Sequence, residues 1–217
     1  MAAIFWLQGD GYRFHCNGAI VSNRHVLTTA TCVGDKVGGY IRDIMVRVGS
    51  SNHLYGGQEH LVENVNKHFK FSPDLDSDIA ILKLTQPLKL SNRVALVNLP
   101  ERDLSQEEAL FLSPKVNFYQ NLRFSDSSLN NLIHSAFSNY RTNLECNNHL
   151  KSNFPYKDLV TENMLCFYIN AYQGTNMFGA PWVHNGTIYG ICSWDRKNVN
   201  IFTKVAAFTD WIKNWIR

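Results

Sequence analysis

Apolar and polar positions alternate along this chain in short runs divided by turn residues. Residues 4–8 are a short apolar run that reads as a strand, and Gly9-Asp-Gly11 behind them is a turn signal. Further strands are expected at 19–22, 26–29, 44–48 (with Arg47 interrupting the apolar run), 61–65 and 79–84, and residues 94–98 run on into Leu99-Pro100. No amphipathic segment of helix length occurs in residues 1–100. Residues 101–112 are charged, then apolar, and read as a bridge between two halves. Beyond it, 125–131 is a polar loop and 140–150 reads as a short helix holding Cys146. Strand runs recur at 164–169, 182–184, 187–193 and 199–205. Phe208, Trp211, Ile212 and Trp215 then fall at helical spacing, which predicts a C-terminal helix over 208–217, starting at Thr209 or Asp210. The pattern is all-β: two β units of about 100 residues each, closed by one helix.

Composition changes this picture little. The chain has 217 residues, 45% of them hydrophobic and 18% charged, with a net charge of +3. That leaves ample area for a core. No apolar run approaches the ~18 residues of a membrane helix. Lys and Arg are scattered, so no nucleic-acid partner is expected. Arg196, Lys197, Lys204, Lys213 and Arg217 gather near the C-terminus, where a solvated face is the plainer reading than a polyanion site. The eight histidines show no ligand spacing, so neither a metal nor a cofactor is expected. Five cysteines is an odd number, so a secreted chain would pair four and leave one. No signal peptide is visible at the start, as in a mature or trimmed chain. Asn185-Gly-Thr187 is an N-glycosylation sequon, but Asn-Gly between two strand runs reads first as a hairpin turn.

Four stretches in order carry a family resemblance. They are Cys16-Asn-Gly-Ala-Ile-Val-Ser22 with Val26-Leu-Thr-Thr-Ala-Thr-Cys32, then Asp78-Ile-Ala-Ile-Leu-Lys-Leu84, then Gly179-Ala-Pro-Trp-Val183, then Phe202-Thr-Lys-Val205 with the helix around Trp211. Together they resemble chymotrypsin-like serine proteases over essentially the whole chain, least between 100 and 140. The resemblance implies one trypsin-like domain over 1–217, built as two six-stranded antiparallel β-barrels and a C-terminal α-helix. The first barrel would take about 1–100, a linker 101–112, the second barrel 113–207 and the helix 208–217. The middle segment, Gly56-Gly-Gln-Glu59 and Pro87-Leu-Lys-Leu90 with Val97-Asn-Leu-Pro100, is most similar to mite digestive trypsins of the group 3 allergen type. Among those, the chain resembles the inactivated serine protease paralogues of the scabies mite.

Residue by residue, the resemblance implies a lost active site. Acyl transfer in this family needs a serine, a histidine to take its proton and an aspartate to orient the histidine. The histidine position, directly before Cys32, holds Thr31, and a threonine hydroxyl is no base near neutral pH. His25 stands six positions too early and is expected to be structural. Asp78 matches the aspartate and is expected to accept hydrogen bonds from Thr31 or from main-chain N–H groups. The serine position, anchored on Pro181, holds Phe178, which has no lone pair to attack with. Asn176 replaces the oxyanion glycine, and Met177 the aspartate that locks an activated site. The base of the specificity pocket falls near Asn170 to Tyr172, none of them acidic, and Asp195 and Asn200 stand on its walls. Tyr172, Asp195 and Asn200 are expected to fill the slot, unless the loops shift to leave a differently shaped groove. Cys16–Cys32 and Cys146–Cys166 match two family disulfides, each closing ~15–20 residues and worth roughly 3 kcal/mol. Cys192 remains as a free, buried thiol. The calcium loop of the family would fall around 52–62, where Glu59 alone gives it little support.

These positions imply a non-catalytic homologue, a pseudoenzyme secreted as a binding or decoy protein and expected to be a monomer. By resemblance it would be found in gut and faeces and would inhibit host complement. An enzyme with rearranged catalytic groups, for which Thr31 would be the candidate nucleophile, and a small-ligand carrier using the remodelled cleft remain the alternatives.

Overall fold

The computed structural model describes residues 1–34, 43–72, 75–111, 115–119, 132–151, 160–169, 177–196 and 199–217. The first half supplies β1 (Ala2–Gln8), β2 (Gly11–Ser22), β3 (His25–Thr28), β4 (Ile44–Val48), β5 (Gln58–Lys67) and β6 (Ala80–Leu84). They close into an antiparallel barrel in the order β1-β2-β3-β6-β5-β4. The second half supplies β7 (Lys115–Tyr119), β8 (Ile133–Arg141), β9 (Met164–Ile169), β10 (Pro181–His184), β11 (Thr187–Arg196) and β12 (Val199–Lys204). These close in the order β10-β11-β12-β9-β8-β7, the last seam being the pair Trp182 and Val116. Closure leaves neither sheet with a free edge. Helices are short: α1 (Ala30–Val33), α2 (Gln106–Phe111), α3 (Asn143–Lys151) and α4 (Thr209–Ile216), the last entered through a 3-10 turn at Val205–Phe208.

The apolar runs explain how the barrels meet. Within β6, Ala80, Leu82 and Leu84 point into the first barrel with Ile4, Ile20, Val26 and Val46. Their neighbours Ile79 and Ile81 point outward, onto Ile188, Ile191, Val205 and Ile212 of the second half. A strand buried on both faces has no polar alternation to show. The second barrel packs Val116, Phe118, Phe167, Trp182 and Phe202. Trp182 meets Phe167 edge-on at 4.8 Å, and Phe167 meets Phe202 in the same way at 5.1 Å.

Three expectations shift. Residues 140–150 are not one helix: Tyr140 pairs with Phe167 in the sheet, and α3 begins at Asn143. The switch is set by a reciprocal cap, in which Thr142 N donates to Glu145 and Glu145 N donates to Thr142 Oγ1. Residues 94–98 make no ladder. They form a strap in which Val97 N donates to Ile20 O and Asn98 N to Gly186 O, tying one barrel to the other. The 101–112 bridge carries α2, opened by the same kind of cap between Ser105 and Glu108. The 125–131 loop lies outside the described residues. Asn185 and Gly186 form the expected turn, with φ of 46° and 76° between the paired residues His184 and Thr187.

Candidate functional site at the junction of the barrels

Asp78 stands just before β6 and is fully buried. Burying a carboxylate costs free energy unless donors replace water. Thr31 N reaches Oδ1 at 2.7 Å, Thr31 Oγ1 reaches Oδ2 at 2.9 Å, and Ser193 Oγ of β11 also donates to Oδ2. The Ala30 main chain adds a further bond. The Asp78 carbonyl accepts from Thr203 Oγ1 at 2.7 Å. Burial pushes the Asp78 carboxyl above its usual range, and the bonds from Ser193, Thr31 and Ala30 pull it back. α1 delivers Thr31: Thr29 caps it through a bond from Cys32 N at 3.2 Å, and the disulfide Cys16–Cys32 ties it to β2. Thr31 is the exposed member of the group. The bonds expected of Asp78 from Thr31 and from the main chain are therefore both present. No histidine donates to Asp78 among the described residues. His25 lies elsewhere, buried, with its Nδ1 at 2.8 Å from Ser22 Oγ.

The facing wall is the turn from Met177 to Ala180. Met177 is buried in the second core, and Ala180 N donates to Met177 O at 2.8 Å. Gly179 N donates to Cys192 O and Cys192 N to Ala180 O, so β11 fixes the turn from behind. Asn17 of β2 fixes it from the front: its N–H donates to Phe178 O at 2.8 Å, and its own carbonyl accepts from Thr28 Oγ1. Asn17 also bonds Tyr119 of β7 through both ends of its amide, at 2.7 and 3.3 Å. It is the polar peg of the junction, and sequence reasoning assigned it no role. Its one signal is an amide inside an apolar strand run. Gly179 has φ of 75°, and a Cβ there would lie 2.0 Å from Asn17 O, so only glycine fits. The Phe178 ring is half-buried and packs against both the first core and the cluster of Leu150, Trp194, Val199 and Ile201. Leu75, held at a φ of 62°, packs on the same cluster.

The remaining candidates divide. Thr31 and Asp78 come together, and Met177 and Phe178 share the opposite wall. Asp195 faces Asn200 across the β11–β12 ladder; Asp195 is exposed and Asn200 buried. Tyr172 and Asn176 lie outside the described residues, as do Asn170 and Ala171. Cys146–Cys166 joins α3 to β9. Cys192 is free and buried; burial pushes its thiol well up, and Asp195 and Asp78 add to that. Such a thiol is inert to redox chemistry at neutral pH. Glu59 is held by Arg47, and Lys204 of the basic C-terminal group by Asp103 at 2.9 Å. Among the described residues no group of three or more His, Cys, Asp or Glu side chains could hold a metal. As built, the described site offers a carboxylate whose bonds are turned inward, one exposed hydroxyl and an aromatic ring.

Comparison with known proteins bears on this geometry. The family model described as Trypsin matches residues 1–212. Trypsin 5G1 of Aedes aegypti is 29% identical over 218 residues, covering 95% of this chain and 77% of the relative. A trypsin of Xenopus laevis is 30% identical over 221 residues, covering 95% and 83%. Among solved structures, the scabies mite inactivated protease paralogue S-D1 superposes with a TM-score of 0.83 at 21% identity, over 99% of this chain and 91% of that one. Paralogue S-I1 gives 0.79 at 24%, over 98% and 92%. At such identities the two structures speak for the fold.

Proposed function

We propose that this chain, which belongs to the trypsin family, is a member that binds rather than cleaves. The observation that carries the reading is the pair Thr31 and Asp78. Directly before Cys32, where the family keeps its base, a threonine hydroxyl donates to the buried carboxylate at 2.9 Å. A hydroxyl in that place takes no proton from a nucleophile near neutral pH. Phe178 on the facing turn supplies neither lone pair nor transferable proton. Thr31, Asp78 and Phe178 are thus degenerate triad positions, and Asn176 and Met177 degenerate oxyanion and activation positions. Tyr172, Asp195 and Asn200 are the residues assigned to a filled specificity pocket.

Two disulfides suit an oxidising compartment. By resemblance to the mite paralogues, the protein is secreted and acts on a host protein as a decoy or inhibitor, with complement components first in line. An enzyme with a rearranged site is the second reading. It is favoured by the contact between the exposed Thr31 hydroxyl and a carboxyl whose proton affinity is raised.

One experiment separates the two. Peptide-amide and ester substrates, together with a covalent serine-directed phosphonate probe, are expected to give no turnover and no label. Turnover lost in Thr31→Val would establish the rearranged enzyme instead. The double variant Thr31→His with Phe178→Ser is expected to stay far below trypsin, because Asn176 and Met177 remain. Trypsin-like rates from it would refute the assignment of those two positions. Capture from host plasma followed by a complement lysis assay tests the partner; unchanged lysis at saturating protein removes complement from the reading.

A further inference from the structure

The hairpin between β10 and β11 carries a feature that the junction does not use. Asn185-Gly-Thr187 is the single Asn-x-Ser/Thr sequence in the chain. The turn holds Asn185 and Gly186 exposed, with both residues at positive φ. The Asn185 side chain makes no hydrogen bond among the described residues. Beside the turn lies a groove of about 340 Å³, lined by Asn98, Leu99, Glu101, Arg102, Leu104, Thr187 and Tyr189. A Cβ on Gly186 would lie 3.8 Å from Asn98 Nδ2, so the groove starts where the turn ends. It offers the Asn98 amide, the Thr187 hydroxyl, the Glu101 carboxylate and one aromatic ring, with the Arg102 guanidinium already held by Glu108 at its rim. These are the polar groups and apolar face that a pyranose uses.

From this juxtaposition we infer that Asn185 carries an N-linked glycan whose first N-acetylglucosamine units rest in the groove against Tyr189. The inference rests on the secretory route proposed above. In the transfer, Asn185 Nδ2 attacks C1 of the sugar on a lipid-pyrophosphate oligosaccharide donor. The N–C1 bond forms, the C1–O bond to the pyrophosphate breaks, and the amide loses one proton as the lipid pyrophosphate leaves. A glycan seated there covers the strap at Asn98 and Leu99. It leaves Thr31 and Phe178 clear, since neither lines the groove.

The test is expression behind a secretion leader in insect cells, with intact mass and amidase digestion of protein taken from the medium. Wild type is expected to show one amidase-sensitive mass step. Asn185→Gly, which suits the positive φ, and Thr187→Ala lose it, and Thr187→Ser keeps it. Secreted wild type without the step overturns the glycan and leaves the secretory reading standing; absence from the medium overturns the route instead. Amidase release from the folded protein is expected to be slower than from the denatured chain, and Tyr189→Ala to narrow that gap. Equal rates in folded wild type and folded Tyr189→Ala would place the sugar outside the groove.

Discussion

The two walls of the junction are built on opposite plans. Around Asp78 every contact is polar and matched: two hydroxyls and two main-chain N–H groups meet one buried carboxylate. Around Phe178 the matching is confined to the main chain, and the side chains of Met177 and Phe178 are apolar and packed. A buried charge has to be satisfied whether or not chemistry is done with it, so Thr31 can stand in for another donor. A turn has to keep its path if the barrels are to close on it, so Gly179 is constrained while its neighbour is free to be a phenyl ring. On either wall, the scaffold's requirements are met by hydrogen bonds and packing.

Substitution at the turn puts the largest strain on that comparison. Gly179→Ala would set a Cβ 2.0 Å from Asn17 O and 2.7 Å from Thr28 Oγ1, at φ of 75°. A destabilisation above about 4 kcal/mol is expected, read by urea denaturation or as failure to recover folded protein. A near-neutral result would mean that the path of the turn is not what joins the barrels. Phe178→Ala, next to it, removes a half-buried ring and is expected to cost about 2 kcal/mol, below the range for a fully buried phenylalanine. If the glycine substitution costs less than the phenylalanine one, the apolar wall is held by side chains and the comparison fails.

The all-β class was legible because short apolar runs of strand length recur between turn signals, and Ile44–Val48 and Met164–Ile169, buried at nearly every position, could be read to the residue. Boundaries failed where long-range pairing overrode local pattern. Tyr140 has helical neighbours in sequence, but Phe167 across the ladder keeps it extended. The Thr142 to Glu145 cap was the signal that could have placed the start of α3. Residues 94–98 look like a strand, yet they pair only through isolated bridges, Val94 with Ser91 and Asn98 with Thr187, and one bond from Val97 N to Ile20 O. Of the site, Thr31 and Asp78 were legible because Cys32 and the Ile79–Leu84 run anchor them. Ser193, the second hydroxyl on Asp78, was not, since a serine inside β11 carries no mark of what it faces 115 positions away.

His53 sharpens the contrast, because it is a buried polar group left unmatched. Its ring stacks on Phe14 at 4.5 Å and meets Phe5 and Tyr119 edge-on, and its Nδ1 has no hydrogen-bond partner. Burial, with the Arg47 charge adding to it, lowers its pKa from 6.5 to about 4. Between those values the unfolded chain binds a proton that the folded one refuses. Stability from this group is therefore full above pH 6.5 and declines as pH falls toward 4. The loss is expected to be on the order of 2 kcal/mol, seen as a falling Tm over that window. His53→Phe is expected to make the fall shallower without abolishing it, since burial lowers His15, His25, His60 and His68 as well. A wild-type Tm independent of pH over the same window would show that the ring is solvated.

The smallest effect is expected at Thr31, where it tests the polar wall most directly. Thr31→Val keeps the shape and the main-chain bond to Oδ1 and removes only the hydroxyl from Oδ2. Because Ser193 still donates to Oδ2, the carboxylate is not stranded, and a cost of about 1 kcal/mol follows. Combining Thr31→Val with Ser193→Ala strips Oδ2 of both donors and should cost more than the two single changes added together, since residues sharing one acceptor are coupled. Additive costs in that cycle would mean that water reaches Asp78. The matched polar wall would then be a solvated one, and Thr31 would be no more than a surface residue that happens to lie over it.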